Sequence, residues 1–152
     1  QMVVDDPSLI DRMSHEALRM TSPVMHMRRT ATEDTEIAGQ RIAENEKVIM
    51  WYGAANRDPA VFPDPDVFDL TRQNVEKHVA FGHGVHRCLG NRIAQMQLRM
   101  AYERILERFP NIHWTGKQKI EPIILVHAIS SLKVNLYGQG AKRPVKVAMP
   151  NR

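Results

Sequence analysis

Residues 81 to 90 read Phe81-Gly82-His83-Gly84-Val85-His86-Arg87-Cys88-Leu89-Gly90, and Cys88 is the only cysteine in the chain. Three glycines, two histidines and an arginine crowd around that one thiol, directly before a long helical pattern. A lone cysteine is most often a small buried hydrophobe. Here, however, a glycine-rich loop meets a helix start, where backbone amides favour an anion through hydrogen bonds and the macrodipole. Arg87 and His86 add positive character that favours the thiolate further. Gly82, Gly84 and Gly90 let the backbone come close to something flat or bulky.

A thiolate in this setting is a nucleophile, a redox centre or a metal ligand. A nucleophile needs an oriented general base, and His86, two residues away in the same loop, gives poor geometry for one. Zinc needs about four ligands. His78, His83, His86 and Cys88 suffice in number, but their spacing matches no zinc pattern. A single thiolate on a stiff loop, with a wide apolar helix behind it, fits an axial ligand to a haem iron better.

Outward from the loop, the clearest element is the helix from Leu89 to Phe109. Leu89, Ile93, Met96 and Met100 form one apolar stripe; Ala94, Leu98, Ala101, Ile105 and Phe109 form another. Two stripes predict a mostly buried helix. Upstream, Asp6 and Pro7 are a cap and a first helical residue. Leu9, Met13, Ala17 and Met20 then recur at helical spacing up to Pro23. Between Val24 and Tyr52, M-H-M-R-R-T-A-T, E-I-A-G-Q-R-I and K-V-I-M-W-Y read as a small antiparallel sheet. Residues 53 to 80 read as an ordered irregular loop packed by Phe62 and Phe68. Two strands, I-E-P-I-I-L-V and L-K-V-N-L-Y, follow over residues 120 to 137. The expected class is mainly helical with small antiparallel sheets, in one domain over 1–138 with a basic tail at 139–152.

Composition narrows the setting. The chain has 152 residues, 43% hydrophobic and 25% charged, which is ordinary for one soluble globular domain. No apolar run approaches the roughly 18 residues that span a bilayer, and the start does not read as a signal peptide. A single cysteine forms no internal disulfide, which suits a reducing, cytoplasmic compartment. The chain opens on Gln1 rather than Met, so it reads as a piece of something longer. A net charge of +4 is compatible with nucleic acid or with an acidic protein partner. The broad apolar face of the long helix argues against a nucleic-acid module.

Two weaker signals accompany the cysteine. Glu16 and Arg19 stand three residues apart on a helix and can pair, although E-x-x-R is common by chance. Arg28 and Arg29 share a strand, so one faces solvent while the other faces inward and needs an anion.

Together these stretches resemble the C-terminal part of a cytochrome P-450. The F-x-x-G-x-H-x-C-x-G pattern is met at Phe81, Gly84, His86, Cys88 and Gly90. Glu16-Ala-Leu-Arg19 stands upstream as the family's E-x-x-R, and F-D-L-T-R supplies Arg72 to complete a Glu-Arg-Arg cluster. N-R-D-P at 56–59 and F-P-D-P-D-V-F-D at 62–69 are similar to the bacterial members. The resemblance covers residues 8 to 137 and implies that the oxygen-activating helix lies upstream, outside this chain. Two departures are visible: Ile42-Ala43-Glu44-Asn45 replaces a frequent I-P-x-G, and Gln95 stands where an arginine is common.

What the resemblance implies is specific. Cys88 is the catalytic residue and the axial ligand to the iron of haem b (iron protoporphyrin IX). Phe81 shields it, and Gly82, Gly84 and Gly90 shape the loop around the cofactor. Arg29 and His86 contact the haem propionates, with His78 a further contact on that side. Glu16, Arg19 and Arg72 form a buried network that fixes the loop. Val24, Met25, Met27, Val126 and Ile129 approach the substrate pocket. O2 and two electrons from a ferredoxin and ferredoxin reductase with NAD(P)H are implied, with no nucleic acid partner and no membrane span. Arg87, Arg92 and Arg99 form a basic patch suited to an acidic ferredoxin. The strings H-M-R-R-T-A, K-V-I-M-W-Y and H-R-C-L-G-N-R-I-A-Q-M-Q-L-R are similar to alkane and fatty-acid terminal hydroxylases. Terpenoid and sterol side-chain hydroxylases share much of them. The implied reaction is hydroxylation of an unactivated C–H bond of an apolar substrate.

Overall fold

Helix formation begins in steps. A turn of helix, α1 (Met2–Asp5), and a 3-10 turn (Pro7–Leu9) lead into α2 (Ile10–Thr21) in the computed structural model, which describes residues 1–138. The basic tail expected at 139–152 lies outside the described residues. Asp6 accepts the Ser8 amide at 3.0 Å, so it caps the 3-10 turn and α2 starts one turn later than its sequence signals place it. Ser22 ends α2 in the left-handed region at φ 40°, and Pro23 blocks continuation. The residues α2 buries fully are Ile10, Ser14, Glu16 and Arg19, while Leu9, Met13, Ala17 and Met20 are half-covered. The helix therefore turns a largely polar face to the core.

The expected sheet is two separate pairs. β1 (His26–Thr30) runs antiparallel to β4 (Lys47–Trp51), with Met27 opposite Met50 and Arg29 opposite Val48. Between them β2 (Thr35–Ile37) and β3 (Gln40–Ile42) form a hairpin. Its turn residues Ala38 and Gly39 have φ of 50° and 82°, the double positive φ of a tight hairpin turn.

A short helix, α3 (Tyr52–Ala55), opens the irregular stretch that follows. Phe62 is 1% exposed beneath the Arg19 guanidinium, whose carbon lies 5.3 Å from the ring centre. Phe68, expected to pack this loop, is instead 48% exposed. The reason is local: the Val67 carbonyl and the Asp69 amide both turn inward to bind Arg19, Arg72 and Glu16. The side chain between them points out.

The largest difference concerns α4 (Asn91–Arg108), none of whose residues is fully buried. Ala94, Leu98, Tyr102 and Leu106 are half-covered, whereas Ile93, Met96 and Met100 lie open. A helix with two apolar stripes needs two partners, and among the described residues its main helical partner is α2. The last two strands also begin earlier than expected. β5 (His113–Glu121) pairs antiparallel with β6 (Ala128–Asn135), with an irregular register at Gly116. Pro122 ends β5, since it offers no amide to a ladder. The loop after it returns to the segment beyond α2: Met25 donates to the Leu125 carbonyl at 3.0 Å, and His127 to Pro23 at 2.8 Å. Val24 and Val126 form an isolated bridge. Helices and small antiparallel sheets thus make the mixed α+β architecture. Among the described residues no helix is long and apolar enough to cross a membrane.

Candidate active site

Glu16 and Arg19 share one face of α2 and are both fully buried. Arg19 donates through Nε and Nη2 to the two carboxylate oxygens of Glu16, each at 2.8 Å, in the two-pronged geometry that guanidinium and carboxylate favour. Arg72 adds a bond to Glu16 Oε1 at 3.2 Å, and the Asp69 amide another at 3.0 Å. The remaining guanidinium hydrogens bind carbonyls: Asn56, Pro65 and Val67 for Arg19, and Pro63, Asp64 and Val67 for Arg72. Burial is the strongest single influence on Glu16 and raises its pKa. The Arg19 bonds, the Asp69 amide and Arg72 outweigh it, so the carboxyl titrates below its usual range.

One residue of this network escapes the sequence reading. Asn56 is fully buried; its Nδ2 donates to Ser22 Oγ at 2.9 Å, and its Oδ1 accepts the Val79 amide at 2.7 Å. It carries the network from α2 to the segment that enters the cysteine loop. N-R-D-P is visible as a stretch, but nothing in its letters marks the first as a buried hub rather than a turn residue.

The loop closes on itself around the thiol. The Cys88 amide donates to the Phe81 carbonyl at 2.8 Å, and the Arg87 amide to Gly84 at 3.0 Å. Gly82 and Gly84 adopt φ of 72° and 67°, where side chains are disfavoured. A Cβ on Gly82 would also stand 3.4 Å from the Tyr52 hydroxyl and 3.5 Å from the His86 carbonyl. Gly90 begins α4 with no side chain capping its first amides, and a Cβ there would sit 3.8 Å from the Cys88 sulfur. The thiol itself is exposed.

It opens into a cavity of about 470 Å³. Leu18, Pro23, Val24, Met27, Ala80 and Phe81 supply apolar walls, with Tyr52 and Gly82 beside them. Arg29 and His86 stand at the polar side. Met27 and Arg29, two apart on β1, share the cavity face, while Arg28 is turned away and exposed. Among the described residues Arg29 makes no ion pair; its guanidinium binds only the Arg28 carbonyl, at 3.0 Å. Cys88, Phe81, Gly82, His86, Arg29, Val24 and Met27 thus line one cavity. His78, Met25, Val126 and Ile129 do not line this cavity. Leu18, Tyr52 and Ala80 do so without any sequence signal that singles them out.

Another cavity, about 540 Å³, lies between Val3, Ile10 and the end of α4, but its charged groups, Glu103, Arg104 and Glu107, include neither thiol nor histidine. Among the described residues no three His, Cys, Asp or Glu side chains converge on a metal position, so the zinc alternative has no geometry. A flat, largely apolar group with an acidic edge and a metal that accepts sulfur fits the cavity at Cys88. The walls match its faces, Arg29 and His86 match its edge, and the bare Cα of Gly90 keeps a side chain off the thiol.

The family model for cytochrome P-450 matches residues 6–134. The chain belongs to the cytochrome P-450 family. Linalool 8-monooxygenase of Pseudomonas putida is 45% identical over 130 residues, covering 86% of this chain and 32% of that protein. A steroid C26-monooxygenase of Mycobacterium tuberculosis is 39% identical over 128 residues, 84% of this chain and 34% of that protein. Among solved structures, cytochrome P-450-153 from Novosphingobium aromaticivorans superposes with a TM-score of 0.82 at 42% identity, covering 88% of this chain and 34% of that one. The chain thus spans about a third of the length of the curated relatives it matches. Cytochromes P-450 carry haem b, the group whose shape and ligand demand the Cys88 cavity meets.

Proposed function

We propose that the chain forms the thiolate side of a haem-dependent monooxygenase that hydroxylates an unactivated C–H bond of an apolar substrate. The observation that carries this reading is the exposed Cys88 thiol opening into an apolar cavity with Arg29 and His86 at its polar side. Haem, when bound, would supply O2 activation, which thiolate ligation favours. Cys88 serves as that ligand, and the uncapped first amides of α4 temper its charge. Arg29 and His86 bind the propionates as charge-assisted donors. Phe81 and Leu18 contribute apolar walls to the cavity into which the sulfur opens. Glu16, Arg19 and Arg72 hold the 63–72 loop, and Asn56 links them to the entry of the cysteine loop.

For the substrate, Val24 and Met27 offer an apolar wall. Their character and the string similarities support a medium-chain alkane or fatty acid oxidised at its terminal carbon. A terpenoid or sterol side chain is the second reading, favoured by the 45% identity to a linalool 8-monooxygenase and the likeness to a steroid C26-monooxygenase. Electrons come from a ferredoxin and its NAD(P)H-dependent reductase.

Reduced under carbon monoxide, the haem-loaded protein will show the strongly red-shifted Soret band of thiolate ligation, and Cys88→Ser will abolish it. Persistence of that band in Cys88→Ser overturns the ligand assignment. Titration of the oxidised, haem-loaded protein with an alkane, a fatty acid, a monoterpene alcohol and a sterol then separates the two substrate readings, since the preferred class shifts its Soret band at the lowest concentration.

A further inference from the structure

His78 does not face the Cys88 cavity. Its Nε2 lies 3.2 Å from Nδ1 of His15, which α2 carries one position before Glu16. Its other ring nitrogen, Nδ1, lies 3.2 Å from the Ala80 amide. A backbone amide only donates, so Nδ1 of His78 accepts and bears no proton. Neutral His78 therefore holds its proton at Nε2 and donates it to His15 Nδ1, leaving the proton of neutral His15 at Nε2. One imidazole so joins α2 to the chain that enters the cysteine loop. The His78 ring also lies tilted near Phe81, centre to centre 6.0 Å, and the Phe81 carbonyl accepts the Cys88 amide.

We propose that His78 is a positioning residue for the Cys88 loop: its neutral imidazole, held between His15 and the Ala80 amide, fixes residues 78–81 and through them Phe81 beside the thiolate. This rests on the reading of Cys88 as the haem ligand. Hydrogen bonds on both ring nitrogens lock the ring plane, which a purely packed aromatic would leave free to rotate. The same geometry requires neutrality. A proton added at Nδ1 faces the Ala80 N–H, donor against donor, and the clamp opens on that side.

The surroundings hold the ring neutral. Burial has the largest effect, followed by His15, Arg87 and Arg19, and together they push the His78 pKa down from 6.5 to about 4; Glu16 acts weakly the other way. Glu76, Arg92 and Gln95 complete the walls of the small cavity that His15, His78 and Arg87 share. Because the folded pKa lies below the unfolded one, the clamp's contribution is complete above about pH 6.5. It drains as pH falls toward 4, where the unfolded chain takes up the proton first.

The test uses the haem-loaded protein, reduced under carbon monoxide and scanned from neutral to acid pH, with three variants. His78→Phe fills the volume and makes neither bond. His78→Asn keeps an acceptor for Ala80, and His78→Gln keeps a donor for His15. The wild type is expected to hold the thiolate band until the pH approaches about 4. His78→Phe is expected to lose severalfold in thiolate-band fraction at neutral pH, and Asn and Gln to recover part of it, without the acid step that belongs to the imidazole. A wild type with no thiolate band overturns the ligand assignment and the clamp together. A wild type with the band, matched by His78→Phe in fraction and acid midpoint, overturns the clamp alone. If His78→Phe fails to fold, the Asn and Gln proteins decide: both equal to wild type through the acid scan overturns the clamp.

Discussion

Glu16 is the residue on which most of the buried polar structure converges, since two guanidinium groups and one backbone amide bind its carboxylate. Removing its charge strands two buried cations. Breaking a buried pair from one side costs about 3–5 kcal/mol, so Glu16→Gln should lower the urea midpoint by that equivalent, and a loss below about 1 kcal/mol would show that the network is solvated. The pH dependence has a definite sign. The folded pKa of Glu16 lies below its ordinary 4.5, so its contribution is fully present above that value and is lost as pH falls through the depressed one. The Gln variant should flatten that acid limb. At this scale the sequence was informative where residue type and spacing coincide, as at Glu16, Arg19, Arg72, Cys88, His86 and Arg29. It was silent on Asn56, because a short polar side chain reads as a turn former until its burial is known, and on the partner of His78, because His15 lies 63 residues away.

Among the elements, the cysteine loop is built from backbone conformations that only certain residues tolerate. Gly82 and Gly39 make a useful contrast, since both adopt positive φ, 72° and 82°. An added Cβ at Gly39 meets nothing within 4 Å, whereas at Gly82 it meets the Tyr52 hydroxyl and the His86 carbonyl. Gly39→Ala should therefore cost about 1 kcal/mol of left-handed strain and leave haem retention unchanged. Gly82→Ala should cost more and release haem severalfold faster, measured by transfer to apomyoglobin. Equal haem loss from the two variants would mean that the loop yields without consequence. The glycines were legible as a loop signal, and so were α2, the β2–β3 hairpin and the long helix α4. The burial of α4 was not, because an apolar stripe records what a helix can bury, while coverage depends on the partner packed against it. The first part of β5 was missed for a related reason: apart from Trp114, His113 to Lys119 is polar, and beyond His113 it is exposed, so no alternation marks it, and pairing with β6 makes it a strand.

On the scale of the whole molecule, polar organisation outweighs apolar burial. Fully buried apolar side chains are few, chiefly Val3, Ile10, Phe62 and Val75, while Arg19, Glu16 and Asn56 are among the largest side chains completely enclosed. Positive charge is likewise unevenly spent. The net charge is +4, but the basic patch expected behind the cysteine is not uniform. Arg99 is offset by Glu103 at 2.8 Å and Asp11 at 3.5 Å. Among the described residues Arg87 and Arg92 make no ion pair, and both line the cavity beside His15 and His78. If the proposed acidic electron donor approaches α4, Arg92 and Arg87 would steer it and Arg99 only weakly. Steering of this kind raises association rates tenfold or more and is screened beyond a Debye length of about 10 Å at 0.1 M salt. Arg92→Ala should slow ferredoxin-driven reduction of the haem-loaded protein about tenfold at low ionic strength, an effect that shrinks as salt is added. Arg99→Ala should change the same rate less than about twofold, because the charge it removes is already paired. Stopped-flow reduction over a salt series separates the two. Equal slowing by both variants would assign the docking field to the bare count of arginines along α4 rather than to which of them lacks a carboxylate.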